Sequence, residues 1–401
     1  MHHLIVGNGA AAVMAAEKLL QHDPAATIEI YGEEPYLAYR RPQLPQFLAG
    51  EVEQQRMRIR PAEWYAEKGI TVHRGIRVEG LDPQAGKIHL ADGRQAGYDR
   101  LLLTTGSRAF VPPITGSDVR GVFSLRTVDD ALRIREYAAS REYAVVIGGG
   151  LLGLEAARGL RALGLQVTVV ELYDWLLPRQ LDQAGAEILA QIIEGLGIRV
   201  IFGVASKCEA EAECLARLRL KDRRVLPAEV ILISAGVRPR VELAQTAGLT
   251  VNRGVVVDDH LRTSAEGIYA AGDVTEHQGR VYGILPAVWD QAPTAAANMA
   301  GGEVLYTGTI PSTTLKVVGV DLTSIGEVNP EDKEAEVLRR SEPEAGRYVK
   351  LVLRQGRLVG AILLGERKRV RMFSRLVKER TDVSTYAEKL LDKNFEITGS
   401  K

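Results

Sequence analysis

Residues 1–34 hold the pattern that most limits what this chain can fold into. A short apolar run, His2–Val6, is followed by Gly7-Asn8-Gly9-Ala10-Ala11-Ala12 and then by an Ala/Leu-rich helical pattern through Leu20. A second strand pattern covers residues 27–31, and Glu33 follows it. This order of strand, glycine turn, helix and strand predicts a βαβ unit that binds a dinucleotide.

Each position of this fingerprint has a physical reason. Gly7 permits the tight turn, Gly9 lets the backbone approach a pyrophosphate, and Ala12 replaces the third glycine where the helix packs close to the strand. The helix begins near Ala10, and its N-terminus offers free N–H groups and the positive end of its dipole to phosphate. Glu33 is expected to accept hydrogen bonds from an adenosine ribose. The expected contacts of the first nucleotide therefore include Gly7, Gly9, Ala10, Ala12 and Glu33.

The same architecture recurs over residues 144–171. A strand pattern over residues 144–147 precedes Gly148-Gly149-Gly150-Leu151-Leu152-Gly153, with a helix predicted over 154–163 and a strand over 166–170. Two fingerprints predict two dinucleotides. Glu171 ends the second strand, where a carboxylate bonds the ribose 2′-OH of NAD and repels the 2′-phosphate of NADP. Because no Arg or Lys stands at 172–177, we expect NADH at Gly148, Gly150, Gly153 and Glu171.

Several turns are expected to return to the first cofactor. Arg41 lies in a proline-rich connection and is predicted to reach phosphate or flavin, with a surface salt bridge as the alternative. A strand over residues 98–103 runs into Thr105-Gly106, and a second strand over 230–234 runs into Gly236 in the same way. Asp273, just after a strand and a glycine, is expected to accept hydrogen bonds from a ribityl chain.

Other segments complete the expected fold. Residues 69–72 and 87–91 are predicted to form a small antiparallel excursion. Leu285 and Pro286 open a helical pattern over residues 288–300, with proline suited to the first turn. Strand patterns at 314–320, 348–353 and 358–364 predict a separate C-terminal α+β domain.

A basic run in that domain has two interpretations. Arg367, Lys368, Arg369 and Arg371 follow one another closely, and Arg375, Lys378 and Arg380 come soon after. Such a run is often only a solvated helix face. The alternative is a docking surface for an acidic partner, centred on Arg367, Arg369 and Arg371.

Composition excludes several classes of protein. Lys+Arg 51 balances Asp+Glu 51, which gives no support to a nucleic-acid or membrane-surface role. No apolar run approaches membrane-spanning length, and a strand at the second residue leaves no room for a signal peptide. Two cysteines in 401 residues are typical of a reducing cytoplasm. Cys208 and Cys214 show neither redox nor zinc spacing, so we expect unreactive thiols in a hairpin, with acidic neighbours raising their pKa.

Along nearly its whole length the sequence resembles the pyridine nucleotide-dependent flavoprotein superfamily. It is most similar to the branch of NADH:rubredoxin reductases and the NADH-binding flavoprotein part of assimilatory nitrite reductases. The matching segments are residues 7–12, 39–44, 104–106, 148–155, 235–239, 263–273 and 312–326. The resemblance implies FAD on the first fingerprint and on Asp273, with NAD on the second. It also implies that Val78, Arg126 and Leu285 contact FAD, that Gly236 is a cofactor contact, and that Glu155 lies near the nicotinamide.

Two departures from this family narrow the chemistry. Relatives that reduce disulfides or peroxides carry a cysteine close to the flavin, and none occurs between Met1 and Arg60. Disulfide reductase and peroxidase activities are therefore not expected. Gln46 stands where several relatives have lysine, so a Lys–Glu pair with Glu155 is absent.

These observations predict an α/β protein with two Rossmann-like dinucleotide-binding domains and a small C-terminal α+β domain. The expected boundaries are 1–108 with 236–306 for FAD, 109–235 for NAD, and 307–401. The expected activity is hydride transfer between NADH and FAD, with no catalytic side chain and no metal, and single-electron exchange with a small, acidic rubredoxin- or ferredoxin-type carrier. An NADH oxidase that uses O₂, and a flavoprotein subunit or NADH sensor of a larger complex, remain alternatives. A homodimer also remains open.

Overall fold

The computed structural model of the chain describes residues 1–211, 214–317, 320–393 and 395. Over these residues the chain divides into two compact units. Unit 1 contains residues 1–43, 52–110 and 236–309, and unit 2 contains residues 44–51, 111–235 and the described residues from 310 onward. The predicted division into three domains stays a prediction, and residues 396–401 of its C-terminal part lie outside the described residues.

Unit 1 is built on a parallel sheet with strand order β19-β7-β1-β2-β3. The strands of unit 1 are β1 His2–Val6, β2 Thr27–Gly32, β3 Ile70–Arg74, β4 Val78–Asp82, β5 Lys87–Leu90, β6 Gln95–Gly97, β7 Arg100–Leu103, β8 Ser107–Ala109, β17 Val237–Pro239, β18 Val255–Val257, β19 Ile268–Ala270 and β20 Thr275–His277. Its helices are α1 Ala10–His22, α3 Gln54–Met57, α4 Ala62–Glu67, α8 Glu242–Thr246 and α9 Leu285–Met299.

The first fingerprint lies at the centre of this sheet. Strand β1 pairs with β2 on one side and β7 on the other, and Leu4 and Ile5 are fully buried. A continuous apolar run suits a strand that is covered on both faces. Helices α1 and α9 pack together and contribute Ala12, Ala16 and Ala292 to the core. Both helices therefore pack in the core of unit 1, which also contains β1.

The predicted antiparallel pairing of residues 69–72 is wrong. Strand β3 instead pairs in parallel with β2 and forms an edge of the main sheet. A parallel pair requires a long crossover connection, and the segment between β2 and β3 supplies one that contains α3 and α4. The antiparallel excursion does exist, but it consists of β4, β5 and β6.

Unit 2 repeats the parallel arrangement with strand order β12-β11-β10-β16-β9. Its strands in this part are β9 Val122–Ser124, β10 Tyr143–Ile147, β11 Gln166–Glu171, β12 Ile198–Phe202, β13 Ala205–Glu211, β14 Cys214–Leu220, β15 Val225–Pro227 and β16 Val230–Ile233. The helices are α2 Leu44–Leu48, α5 Val128–Ala138, α6 Leu151–Ala162 and α7 Gln183–Gly195. The second fingerprint thus occupies the same place in its sheet as the first.

The C-terminal part of unit 2 is an antiparallel sheet with strand order β21-β22-β25-β24-β23. Its elements are β21 Ser312–Val317, β22 Val320–Gly326, β23 Glu336–Glu342, β24 Arg347–Arg354, β25 Arg357–Leu364 and α10 Val370–Lys378. The strand predicted over residues 314–320 is wrong, because it joins the end of β21 to the start of β22; residues 318 and 319 lie outside the described residues. The parallel and antiparallel sheets together confirm the predicted α/β class.

A polar network around the buried Lys350 joins α7 to the C-terminal sheet within unit 2. Asp182 caps α7, and its Oδ2 lies 3.0 Å from Lys350 Nζ and accepts a 2.8 Å hydrogen bond from Tyr348. Lys350 is 3% exposed and also donates to Asn329, whose amide donates to the carbonyls of Pro178 and Leu181. Burial alone would raise the pKa of Asp182, but the bonds from Tyr348 and Lys350 outweigh it and lower that pKa.

Candidate cofactor sites

The turn after β1 requires glycine. Gly7 has φ +110°, and a Cβ there would lie 2.1 Å from the carbonyl oxygen of Thr104. The hydroxyl of Thr104 donates to the carbonyls of Val6 and Gly7, which fixes the end of β7 against the turn. The close approach of two strand ends therefore excludes any side chain at Gly7.

Next to this turn the backbone leaves open space. Gly9 is the N-cap of α1, no side chain caps the helix there, and no atom lies within 4 Å of a Cβ built on Gly9. Gly106, at the end of the β7 turn, also has no atom within 4 Å of a Cβ. Ala10 opens the helix, and its N–H is among the first-turn groups that have no intrahelical acceptor. These free donors and this space fit the pyrophosphate of FAD.

Asp273 lies in a turn that is held by three hydrogen bonds. Its Oδ2 accepts a 2.7 Å bond from the hydroxyl of Ser107, which is 5% exposed. The N–H of Gly272 donates to Gln291 at 2.8 Å, and the carbonyl of Gly272 accepts from the N–H of Thr275. Asp273, the predicted ribityl contact, therefore lies on a backbone that these hydrogen bonds hold in place.

The acids that follow the two fingerprints are not at equivalent positions. The N–H of Gly7 donates to the carbonyl of Tyr31, and the N–H of Gly148 donates to that of Val170. In this register Gly32, not Glu33, corresponds to Glu171. The exposed side chain of Glu33 forms an ion pair with Arg240.

The next acid, Glu34, belongs to a more enclosed cluster. Its carboxylate accepts a 2.6 Å bond from the hydroxyl of Tyr39 and a 2.5 Å bond from Arg41, which also donates to Tyr39 at 3.0 Å. Burial alone would lower the pKa of Arg41, but Tyr39 and the carboxylates of Glu34 and Asp273 raise it. Arg41 is therefore a fixed positive charge near Asp273.

The other predicted contacts in unit 1 are distributed as follows. Leu285 is the first residue of α9, whose N-cap, Ile284, makes no side-chain cap. Val78 begins β4 and packs against the core of the unit. Thr105 donates to the carbonyl of Arg240, and Gly236 has no atom within 4 Å of a Cβ.

The second fingerprint requires glycine at two positions. A Cβ on Gly148 would lie 2.4 Å from the carbonyl oxygen of Ser234, and one on Gly153 would lie 1.9 Å from that of Gly148. Gly150 caps α6 without a side-chain hydrogen bond and has no atom within 4 Å of a Cβ. Helix α6 thus presents free N–H groups to an open space that fits a second pyrophosphate.

Glu171 is buried and bound to the backbone of its own unit. It is 5% exposed, and its two oxygens accept hydrogen bonds from the N–H groups of Gly149 at 2.6 Å and Tyr173 at 2.9 Å. Because each carboxylate oxygen has two lone pairs, both retain an acceptor position for ribose hydroxyls. The side chain is therefore preorganised at the end of β11.

Two further predicted residues lie elsewhere in unit 2. Arg126 precedes α5, and its N–H donates to Asp130, which forms a capping box with Thr127. Glu155 is a half-buried residue of α6, one turn after the open glycine.

The cysteines lie on the predicted hairpin. Strands β13 and β14 pair antiparallel; residues 212 and 213 between them lie outside the described residues. Cys208 is 3% exposed, and burial, with a smaller effect of Asp118, raises its pKa to about 11. Burial rather than acidic neighbours is thus the main cause at Cys208.

The basic run does not lie on one surface. Arg369 is 8% exposed; its guanidinium donates to the carbonyl of Leu390 at 2.6 Å and lies 4.9 Å from the ring centroid of Phe373. Its inclusion in the predicted docking surface is therefore wrong, because this side chain packs inside the domain. Arg367 and Arg371 are exposed.

Sequence reasoning missed the residues that support these sites. Ser107, Glu34 and Gln291 were not among the predicted contacts, although each is held close to one of them. Ser107 directly follows the predicted Gly106 turn, which was a usable signal. Gln291 offered none, because its role depends on how α9 packs against the sheet.

Comparison with known proteins identifies the family of the chain. Residues 1–299 match the family described as pyridine nucleotide-disulphide oxidoreductase, and residues 311–381 match the rubredoxin NAD+ reductase C-terminal domain. The chain belongs to the pyridine nucleotide-disulphide oxidoreductase family. Members of this family are oxidoreductases that depend on FAD and NAD(H), the two cofactors predicted for this chain.

Individual relatives confirm the predicted branch. The chain is 35% identical over 385 residues to the nitrite reductase [NAD(P)H] of Bacillus subtilis, which covers 95% of this chain and 48% of that enzyme. The ferredoxin reductase for the CYP199A2 system of Rhodopseudomonas palustris superposes with TM-score 0.89 at 28% identity, covering 98% of both chains. The NADH:rubredoxin oxidoreductase of Clostridium acetobutylicum superposes with TM-score 0.79 at 26% sequence identity, covering 97% of this chain and 98% of that one. The chain spans about half the length of the first curated relatives it matches.

The described residues contain neither a helix suited to span a membrane nor a cluster suited to hold a metal ion. None of their helices is long and apolar enough to cross a membrane. Nor do these residues include a group of three or more His, Cys, Asp or Glu side chains arranged to hold a metal ion.

Proposed function

We propose that this chain is the reductase of a one-electron carrier, which takes reducing equivalents from NADH and passes single electrons to a small rubredoxin- or ferredoxin-type protein, or runs in reverse. The observation that carries the proposal is the pair of fingerprints, each with an open glycine at an uncapped helix N-terminus. The relatives named for rubredoxin and ferredoxin reduction support the carrier class.

We assign FAD to residues 1–108 with 236–306 and NAD to residues 109–235. Bound FAD supplies the conversion of a two-electron donor into one-electron steps. The chain binds and orients: α1 and α6 hold the two pyrophosphates, and Glu171 selects NADH through the ribose. The uncapped N-terminus of α9 at Leu285 offers positive potential to negative charge that develops on the reduced cofactor.

Residues 1–108 and 236–306, to which we assign FAD, contain no cysteine, and this separates the chain from disulfide reductases. Both cysteines of the sequence, Cys208 and Cys214, lie on the β13–β14 hairpin. The raised pKa of Cys208 also keeps it protonated at neutral pH. The reaction proposed here requires no side chain as a nucleophile, an acid or a base.

The exposed basic side chains around α10 are proposed to form the surface on which the carrier docks. The side chain of Arg367 is 83% exposed, and Lys368, Arg371 and Lys378 are also exposed. Small carriers of this type are acidic and form small, transient contacts, so charge governs how fast they associate. Arg369 is excluded because it is buried.

Charge reversal tests this surface. The triple variant Arg367→Glu, Lys368→Glu, Arg371→Glu should reduce an acidic rubredoxin or ferredoxin about ten-fold or more slowly at low salt. The wild type should slow towards the variant as salt rises from about 0.01 to about 1 M, because screening shortens the range of attraction. Reduction of a neutral dye by NADH should not change.

A matched control reverses the same number of charges in unit 1. Lys68, Lys87 and Arg94 are exposed there, and Lys68→Glu, Lys87→Glu, Arg94→Glu should leave carrier reduction close to the wild-type rate. If both triple variants reduce the carrier at equal rates across ionic strengths, the basic side chains around α10 form only a solvent-exposed helix face. Stoichiometric H₂O₂ or water from NADH in air, with no carrier reduction, would instead identify an oxidase.

A further inference from the structure

A chain of buried hydrogen bonds connects the Asp273 turn to the segment that ends unit 1. The N–H of Gly272 donates to Gln291 Oε1 at 2.8 Å, and Gln291 Nε2 donates to the hydroxyl of Tyr306 at 3.3 Å. The hydroxyls of Tyr306 and Thr309 lie 2.8 Å apart, and Thr309 Oγ1 donates to Asp290 Oδ2 at 2.8 Å.

Donor counting fixes the direction of this chain. Thr309 has a single hydroxyl proton, and it donates that proton to Asp290. The Tyr306 hydroxyl must then donate to Thr309 and accept from Gln291. The amide of Gln291 is left with its oxygen facing Gly272, and no other orientation satisfies both ends.

The members of the chain are enclosed. Gln291 is 1% exposed, Tyr306 is 3% exposed and Thr309 is 8% exposed. The ring of Tyr306 also packs edge-on against that of the buried His277, with centroids 4.7 Å apart. A buried donor that loses its acceptor costs more than the bond itself contributes, so the Gly272 N–H depends on Gln291.

We propose that Gln291 is a positioning residue for FAD: it holds the N–H of Gly272 and so fixes the backbone that presents Asp273 to the cofactor. This rests on the proposed FAD assignment. Gln291 itself need not contact the cofactor. Loss of its amide would leave the Gly272 N–H without a partner and let the turn move, although Ser107 still donates to Asp273.

The test measures FAD affinity of the apoprotein by flavin fluorescence quenching, together with the melting temperature. Gln291→Leu should raise the Kd for FAD about 10- to 100-fold. Gln291→Glu should stay within a few-fold of wild type, because a protonated carboxyl can accept from Gly272 and donate towards Tyr306. The midpoint potential of the bound flavin should also shift in Gln291→Leu and return in Gln291→Glu.

A second buried amide on the same helix is the control. Asn298 is 2% exposed and bonds His260 and Val304, away from the Asp273 turn. Asn298→Leu should lower the melting temperature about as much as Gln291→Leu yet keep the wild-type Kd for FAD. An unchanged Kd in Gln291→Leu, or an equal loss of FAD affinity in Asn298→Leu, would overturn the proposal.

Milder variants keep the question open to test if Gln291→Leu does not fold. Tyr306→Phe and Thr309→Val interrupt the chain further from Gly272 and should each raise the Kd for FAD a few-fold; wild-type affinity in both would overturn the proposal. A wild-type protein that binds no FAD would contradict the proposed function itself, which is a distinguishable result.

Discussion

Arg41 shows how single residues set the character of the first site. Its guanidinium is held by Glu34 and Tyr39, and its charge lies close enough to Asp273 to raise its own pKa. Glu33, by contrast, pairs with Arg240 at the surface. Two adjacent acids therefore have different roles, one enclosed and one exposed.

Substituting each acid in turn separates these roles. Glu34→Gln should weaken FAD binding about 10- to 100-fold, because the cluster loses its negative charge and one of the two oxygens that accept from Tyr39 and Arg41. Glu33→Gln, the matched control, should change the Kd for FAD less than about three-fold, since exposed ion pairs contribute little. Titration of the two apoproteins with FAD makes the comparison. A larger effect at Glu33 would support the ribose contact predicted from sequence spacing alone.

The residues that the sequence predicts best are those that local sterics require. Gly7 and Gly153 are required because a Cβ would lie 2.1 and 1.9 Å from backbone oxygens, and such requirements leave a readable pattern. The choice between Glu33 and Glu34 depends on strand register, which pairing decides. The burial of Arg369 depends on Leu390, which is distant in the sequence. Contacts of this kind leave no local signal.

At the scale of elements, the two βαβ units are predictable from the sequence, and the pairing of β3 is not. Apolar runs with glycine turns indicate β1 and β10 directly. The predicted antiparallel pairing of β3 is wrong because the sequence of this strand does not indicate that it pairs with β2 across a long connection. The sequence also does not indicate the junction between β21 and β22, because the pattern over residues 314–320 is that of one continuous strand.

The link between α7 and β24 gives a prediction at this scale. Lys350→Met should lower the local stability of α7 and β24 by about 2–4 kcal/mol, because it leaves Asp182 partly buried without its ammonium partner. Hydrogen exchange measured by mass spectrometry should show faster exchange in both elements and no change in β1. Since the pKa of Asp182 is lowered in the folded chain, this contribution is present at neutral pH and is lost as the pH falls through the lowered pKa.

Arg339 supplies the control for this network. It lies 3.4 Å from the same carboxylate but is 53% exposed, so Arg339→Met should cost less than about 1 kcal/mol. If Lys350→Met exchanges like Arg339→Met at neutral pH, the buried lysine does not hold the sheet to the helix.

At the scale of the whole molecule, each unit contains one complete nucleotide fingerprint, and the family match covers both. The C-terminal match begins at residue 311, next to the start of the antiparallel sheet at Ser312. The first curated relatives are about twice as long as this chain, so the redox partner is best sought by experiment with defined carriers. The activity that we propose for the chain itself is to bind FAD and to accept electrons from NADH.

Anaerobic reduction of the purified flavoprotein by NADH and by NADPH tests that claim most directly. The protein should be yellow, and NADH should bleach the flavin absorbance with a second-order rate constant about 30- to 1,000-fold above that for NADPH. This range corresponds to a lost ribose hydrogen bond and repulsion at Glu171 of about 2–4 kcal/mol. Cys208→Ser and Cys214→Ser should not alter the reaction. A colourless protein that FAD cannot reconstitute, or equal rates with NADH and NADPH, would contradict the account.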